Sequence, residues 1–170
     1  MVAGSERHQF TVKSTVPEGV ETVWAYVTTP EGFLNELGPN LHMTIPSGFD
    51  TGQIDAVGAG DFMGVSRVLL WNLIPIERSK ITVMDIAPPH HIRELHQMIL
   101  FAEWWQERRL IPVEDGTRIV DDISFDLRPG LARVPFLGAL AERFWKNHIS
   151  ARHRRLAAHY ASQLGTEVTR

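Results

Sequence analysis

The chain has 170 residues, 44% of them hydrophobic, with no cysteine and with 17 Lys and Arg against 20 Asp and Glu, a formal net charge of −3 with His neutral. The lack of cysteine excludes disulfides, thiolate zinc sites, iron–sulfur clusters and a cysteine nucleophile. The slightly acidic balance gives no global electrostatic reason to bind nucleic acid or an anionic membrane. A chain of this length has room for one complete core, so we expect a single domain over residues 1–170.

The amino terminus carries no targeting signature. Residues 1–10 contain Glu6, Arg7 and His8 without an apolar run. Nowhere do the roughly 18 apolar residues of a membrane-spanning helix follow one another. We therefore predict a cytoplasmic protein that is not inserted in a membrane.

Strand and helix patterns follow one another in the first 40 residues. Residues 8–16 alternate between polar and apolar, as in a half-buried strand. Residues 18–27 place apolar side chains at helical spacing. Thr29 and Pro30 are an N-cap and a first-turn proline for a second short helix, which Gly38 ends. The opening is predicted to be strand, helix, helix.

From Leu41 to Leu127 the helical period is replaced by β-branched and aromatic runs between turn residues, which predicts an antiparallel meander. The segment 46–64 fits no register and is either a loop or an edge strand. Residues 114–116, Glu-Asp-Gly, indicate a hairpin. The predicted strands are 41–45, 65–73, 80–86, 91–97, 101–113 and 117–127.

A long helix is predicted from about Ala132 to Gln163. Its wide apolar face requires a large surface to pack on, and the sheet supplies that surface. The fold class is therefore α+β. One apolar stripe holds Leu137, Leu140, Ala141, Phe144 and His148, and the neighbouring stripe holds Trp145, Ile149, Leu156 and Tyr160.

Two segments carry a resemblance to the START and Bet v 1-like (SRPBCC) superfamily. The opening Val16-Pro17-Glu18, followed by Val23-Trp24, looks like the family's first strand and helix. A second set is similar to its polyketide cyclase/dehydrase-like branch: Phe101, Trp104, Gln106, Leu110, Pro112, Gly116-Thr117-Arg118, Asp121, Ile123, Phe125, Leu127 and Gly130. The chain departs from the family at Gln106, where a histidine is frequent, and at Ile99-Leu100, where Gly-Pro is frequent.

The resemblance implies a helix-grip fold. In this fold a curved antiparallel sheet wraps around the long C-terminal helix, two short helices follow the first strand, and a cavity between sheet and helix holds an apolar small molecule. No cofactor is implied.

Asp121 is the candidate for acid or base chemistry. Alternation places it on the inner face of the last strand with Ile123 and Phe125. A buried carboxylate can serve as a general acid or base if its pKa is raised. The alternative is an ion pair with Arg108 on the adjacent strand, which would only pin the sheet.

Further candidates for lining the cavity come from the other strands and the long helix. The resemblance places Trp104 and Gln106 inward, where Gln106 would bond either a ligand or Asp121. Arg67 and Trp71 share a strand face, and an inward arginine would suit a ligand carboxylate. It would equally suit a structural ion pair or solvent.

On the helix, Phe144 and His148 belong to the stripe predicted to face the sheet. His148 would be a polar contact or a proton shuttle, or else a satisfied core histidine. His90, His91 and His96 lack metal-site spacing, so no metal is predicted.

Three functional hypotheses remain open at this stage. The first is binding of a lipid, polyketide-like or aromatic metabolite by a monomer or homodimer, without nucleic acid. The second is a cyclase or dehydratase that uses Asp121. The third is an interaction module that presents the basic helix residues Arg143, Lys146, Arg152, Arg154 and Arg155 to a macromolecule.

Overall fold

The computed structural model describes residues 7–46 and 56–167, and the side chains up to residue 163. No helix within these ranges is long and apolar enough to span a membrane. The elements in chain order are β1 (His8–Val16), α1 (Val20–Val27), α2 (Pro30–Leu37), β2 (Leu41–Met43), β3 (Phe62–Leu70), β4 (Ile74–Ala87), β5 (His91–Met98), β6 (Phe101–Val113), β7 (Gly116–Leu127), α3 (Pro129–Ala132) and α4 (Leu137–Glu167).

The described strands form one seven-stranded antiparallel sheet with the order β1-β7-β6-β5-β4-β3-β2. The sheet curls into a half-barrel around α4, and this confirms the predicted helix-grip fold. The two short helices follow β1 as predicted, and α2 packs against both α4 and β2. The concave face of the sheet, α4 and the short helices therefore enclose the interior.

Several predicted boundaries were wrong, and three starts changed most. Strand β4 begins at Ile74, six residues before the predicted start at Lys80, because Ile74 and Pro75 continue the pairing with β3. Strand β3 begins at Phe62, inside the segment 46–64 that fitted no register; residues 47–55 of that segment lie outside the described residues. The long helix begins at Leu137 rather than Ala132, just after Pro135, and α3 precedes it.

The buried apolar side chains form two clusters along the interior. One joins α1 and the C-terminal half of α4 to the sheet through residues such as Val23, Leu110 and Tyr160. The other packs Ile149 against an aromatic group at the opposite end of α4. In that group Trp104 stacks on Phe125 with ring centroids 5.3 Å apart.

Gly116 closes the β6–β7 hairpin, and alanine at this position is expected to destabilise the protein by about 3 kcal/mol. Its φ of 132° is one that L-residues rarely adopt, and a Cβ would lie 2.1 Å from the Val16 carbonyl oxygen. Gly130→Ala is the matched control, since no atom lies within 4 Å of its Cβ position. Urea unfolding should show a loss for Gly116→Ala only; equal stabilities would contradict this expectation.

Candidate functional site

Two adjoining cavities lie between the sheet and the helices. The larger, of about 100 Å³, has mainly apolar walls that include Trp24 from α1, Phe33 from α2 and Ile92 from β5. The smaller, of about 50 Å³, lies toward Trp145 and His148 of α4. The cavities share four lining residues, Met43, His96, Gln106 and Arg152. They are therefore neighbouring parts of one interior site.

The polar side chains at the cavities come from the inner faces of β5 and β6 and from α4. Glu94 and His96 alternate along β5, and Gln106 and Arg108 alternate along β6. The imidazole of His96 contacts Ser79 Oγ at 3.0 Å through Nδ1, and its Nε2 lies 3.6 Å from a Glu94 oxygen. These groups give one wall of an otherwise apolar site the capacity to form hydrogen bonds.

Arg108 is the centre of a buried charge network behind this wall. Its Nε and one terminal nitrogen donate to the two Asp121 oxygens, both at 2.7 Å. Its two terminal nitrogens also donate to the two Glu36 oxygens, both at 2.8 Å. All three side chains are at least nine-tenths buried. One guanidinium thus joins α2, β6 and β7.

Helix α4 adds two further members to the network. An Arg152 terminal nitrogen donates to Glu36 at 3.2 Å. His153 Nε2 lies 3.0 Å from an Asp121 oxygen, and its Nδ1 lies 2.7 Å from the Ser14 hydroxyl of β1. The network therefore connects α4 to α2, β7 and β1.

The surroundings keep both carboxyls ionised. Burial alone would raise the pKa of Asp121, but the Arg108 charge and the bonds from Arg108 and His153 outweigh it and hold that pKa well below its usual range. Burial likewise opposes ionisation of Glu36, whereas Arg108 and Arg152 lower its pKa below the usual value. Neither carboxylate has the raised pKa that a general acid near neutral pH requires.

Of the two interpretations of Asp121, the ion pair with Arg108 is the one that the structure supports. Register places the two residues directly opposite each other on β6 and β7. Asp121 is fully buried and lines neither cavity. A molecule in the cavities would have no direct contact with this carboxylate.

Trp104 and Gln106 point inward as predicted. Trp104 is buried and lines the smaller cavity, and Gln106 lines both. Gln106 does not face Asp121, because its partner in the register is Ile123. Ile123 and Phe125 are buried, but they belong to the packed aromatic cluster and line neither cavity.

The inward orientation expected for Arg67 and Trp71 was wrong. Arg67 is exposed, and the inward positions of β3 are Ser66 and Val68. Trp71 lies in the turn after β3 and is 59% exposed. Arg67 thus alternates regularly with the inward residues, and its predicted face does not continue to Trp71 because the β3–β4 register shifts between Val68 and Leu69.

The predicted helix stripe was half right. Phe144 is 49% exposed, so it does not face the sheet, whereas His148 lines the smaller cavity. Burial, aided by the charges of Arg152 and Arg155, lowers the pKa of His148 to about 3, so its imidazole is neutral. The buried stripe is the neighbouring one, which includes Ile149 and Leu156.

The proposed basic surface on α4 also needs correction. Arg152 is buried in its ion pair with Glu36. Arg155 is half-buried and donates to the carbonyl oxygens of Glu36 and Leu37 at 2.6 and 2.8 Å. Of the five cations of the predicted basic surface, Arg152 is internal and Arg155 is bonded within the protein, so the exposed ones are Arg143, Lys146 and Arg154.

Several polar residues of the network and the cavities were missed as site residues, among them Glu36, His96, Arg152 and His153. For the residues on the helices, the sequence signal was a charged or polar residue at a helical position that the apolar pattern assigns to the buried face. Glu36 follows Phe33 by three residues and so lies on the apolar side of α2. Arg152 and His153 follow Ile149 by three and four residues and fill a gap in the buried stripe of α4. A charged residue at an apolar helical position indicates a buried partner.

No group of His, Asp and Glu in the described ranges has the arrangement of a metal site. The histidines of the 90–96 segment are instead divided between the two faces of β5. His91 lies beside Asp85 and Glu107 at a sheet position outside the cavities, whereas His96 faces inward.

Solved structures with the same fold are numerous but distant in sequence. The aromatase/cyclase Zhui from Streptomyces sp. R1128 shares 15% identity with a TM-score of 0.67, over 94% of this chain and 96% of that chain. A START superfamily protein from Mycobacterium smegmatis shares 14% identity with a TM-score of 0.62, over 92% and 98%. Protein CV1439 from Chromobacterium violaceum shares 12% identity with a TM-score of 0.67, over 89% and 96%.

These similarities confirm the START and Bet v 1-like helix-grip fold. No curated protein matches the sequence. A family model described as a domain of unknown function, DUF8410, matches residues 14–160, a range that contains the whole charge network and every residue named above as lining the cavities. The chain therefore belongs to the DUF8410 family and has an SRPBCC helix-grip fold.

Proposed function

We propose that this protein binds a small, mostly apolar molecule in the two cavities between the sheet and α4. The observation that carries the proposal is the interior cavity of about 100 Å³, which has mainly apolar walls and adjoins a second of about 50 Å³. Protein interiors are close-packed, so voids larger than a water molecule are few. A cavity of this kind is a default binding site.

The size of the site favours one class of ligand among those considered. An engineered apolar cavity of about 150 Å³ binds benzene. The space here is of the same order, so a single aromatic ring or a short chain fits, whereas a long-chain lipid would require the walls to move apart. The aromatase/cyclase among the similar structures is consistent with an aromatic ligand.

The same proposal includes the domain organisation, the oligomeric state and the cellular location of the protein. The single sheet and the match over residues 14–160 support one ligand-binding domain. We expect a monomer or homodimer in the cytoplasm, as the sequence predicts. Light scattering of the purified protein tests the oligomeric state, and cell fractionation tests the location.

The proposal predicts saturable binding of ethylbenzene with sub-millimolar affinity, which corresponds to about −4 to −5 kcal/mol. Proton–nitrogen NMR of the full chain should show shifts at residues that line the cavities. Ile92→Trp is expected to abolish binding, because Ile92 lines the larger cavity and the added ring would fill it. Gln97→Trp is the matched control, since Gln97 is exposed on the other face of β5.

Two results would contradict the proposal. One is a wild-type spectrum in which no cavity-lining residue responds to ethylbenzene. The other is binding by Ile92→Trp with the affinity of Gln97→Trp. Native mass spectrometry of freshly purified protein, followed by organic extraction, then identifies any molecule that is retained from the cell.

A further inference from the structure

Most of the buried polar atoms that lack a hydrogen-bond partner belong to residues that line the two cavities. Within the described side chains there are five such atoms, and four belong to cavity-lining residues. These are Trp24 Nε1, His96 Nε2, His148 Nε2 and Arg152 Nε; the fifth is Ser66 Oγ. Buried polar groups in native proteins are almost always hydrogen-bonded, so a cluster of exceptions needs an explanation.

The chemistry of these atoms restricts what can satisfy them. The indole Nε1 of Trp24 and the Nε of Arg152 carry a proton and have no acceptor capacity. A neutral histidine can donate through Nε2 when a hydroxyl donates to its Nδ1, as the Ser79 hydroxyl does if His96 takes that tautomer. The two atoms that can only donate, Trp24 Nε1 and Arg152 Nε, therefore lack a hydrogen-bond acceptor, and His96 Nε2 has only a Glu94 oxygen at 3.6 Å, beyond hydrogen-bond distance.

The position of Arg152 makes it the centre of this donor group. It lines both cavities, and its side chain is more than nine-tenths buried. Its ion pair with Glu36 is made by a terminal nitrogen at 3.2 Å, beside the two 2.8 Å bonds that Arg108 donates to the same carboxylate. The Nε–H of Arg152 stays without a partner in that arrangement.

We infer that the ligand carries a hydrogen-bond-accepting oxygen on its apolar body, and that Arg152 Nε–H binds this oxygen where the two cavities adjoin. The inference rests on the proposed function and adds the ligand's polar group to it. A ketone oxygen and a carboxylate share the required chemistry. A site built to hydrogen-bond a ligand oxygen rejects analogues that lack it, because its own donors then stay unpaired.

Three single-ring probes of nearly equal size test the inference. Ethylbenzene has no acceptor, acetophenone offers a neutral carbonyl and benzoate offers a carboxylate. We expect calorimetry or NMR titration to give an affinity for acetophenone or benzoate at least about tenfold higher than for ethylbenzene. The tighter of the two shows whether the oxygen is neutral or anionic.

Variants at neighbouring helix positions identify the donor. Arg152→Met should reduce the selectivity for the oxygen-bearing probe to about one. Arg152→Lys keeps a cation near Glu36 but has no donor at the Nε position, so it should lose the selectivity as well while the protein stays folded. Arg154→Met, at an exposed position two residues further along α4, should keep the wild-type selectivity.

The outcomes separate this inference from the proposed function. If ethylbenzene and both oxygen-bearing probes bind wild type equally, the inference is overturned and the apolar site stands. If Arg152→Lys is folded and keeps the full selectivity, the assignment to Arg152 Nε–H is overturned. If none of the three probes binds wild type, the proposed function itself fails.

Discussion

Replacing Arg108 by methionine is expected to lower the free energy of unfolding by about 3–5 kcal/mol. The guanidinium makes four bonds to Glu36 and Asp121, and both carboxylates are fully buried. Without Arg108, Glu36 retains only Arg152, and Asp121 retains only His153 among their side-chain partners. An incompletely compensated buried carboxylate costs far more than the lost packing of the arginine stem.

Arg109→Met is the matched control for this experiment. Arg109 is the next residue on β6 and pairs with Asp122 of β7. Their side chains are 44% and 34% exposed. An exposed pair of this kind contributes about 0–1 kcal/mol. Urea unfolding at pH 7 should therefore separate the two variants clearly, and a loss under about 1 kcal/mol for Arg108→Met would refute the central role of this guanidinium.

A compensating variant tests the physical reason for the loss. Adding Asp121→Asn to Arg108→Met removes the carboxylate that the first substitution leaves without a cation, whereas Glu36 keeps its ion pair with Arg152. The double variant is expected to be more stable than Arg108→Met alone, although it contains more substitutions. If the double variant is instead the less stable, lost hydrogen-bond geometry rather than uncompensated charge dominates.

The sequence predicted correctly those elements in which the alternation of polar and apolar residues matches the buried and exposed faces of the structure. Strand β7 alternates cleanly, so its inner face and the inward position of Asp121 could be assigned from the sequence alone. Arg108 was one of the candidate partners of Asp121, and the antiparallel register places it directly opposite that residue. On β6 the alternation fits either face, and the family resemblance chose the face of Trp104 and Gln106, which line the smaller cavity.

Alternation fails where a strand is irregular. The register shift in β3 separates the face of Val68 from that of the residues after it, so the pattern of Arg67, Leu69 and Trp71 does not define one face of the sheet. The small polar residue Ser66, fully buried, occupies the position that a hydropathy pattern would assign to solvent. No local signal in the sequence reveals this shift.

Helix α4 shows why hydropathy alone did not locate the site. Its exposed side includes Leu140 and Phe144, at 64% and 49% exposure, whereas its buried side includes Arg152 and His153. The two faces thus differ little in mean hydropathy, and the periodicity cannot choose between them. Burial of the two basic residues depends on carboxylates from α2 and β7, which are 116 and 32 positions away in sequence.

Acidification from pH 7.5 to 4.5 is expected to destabilise wild type by about 2 kcal/mol more than His148→Leu. Burial, with the nearby charges of Arg152 and Arg155, lowers the pKa of His148 to about 3 in the folded protein, whereas the unfolded value is about 6.5. Between these values the unfolded state binds a proton that the folded state does not. Stability from this group is therefore lost as the pH falls below about 6.5.

The comparison with His148→Leu isolates the contribution of this histidine to the pH dependence of stability. The seven other histidines are common to both proteins, and their contributions cancel in the difference. Glu36 and Asp121 have lowered folded pKa values, so their stabilising contributions are lost progressively below about pH 5, and this loss is common to both proteins. Urea unfolding at pH 7.5, 6 and 4.5 should give a difference that grows steadily toward acid. Parallel profiles would mean that His148 is protonated in the folded protein, with an anionic partner or solvent at its Nε2.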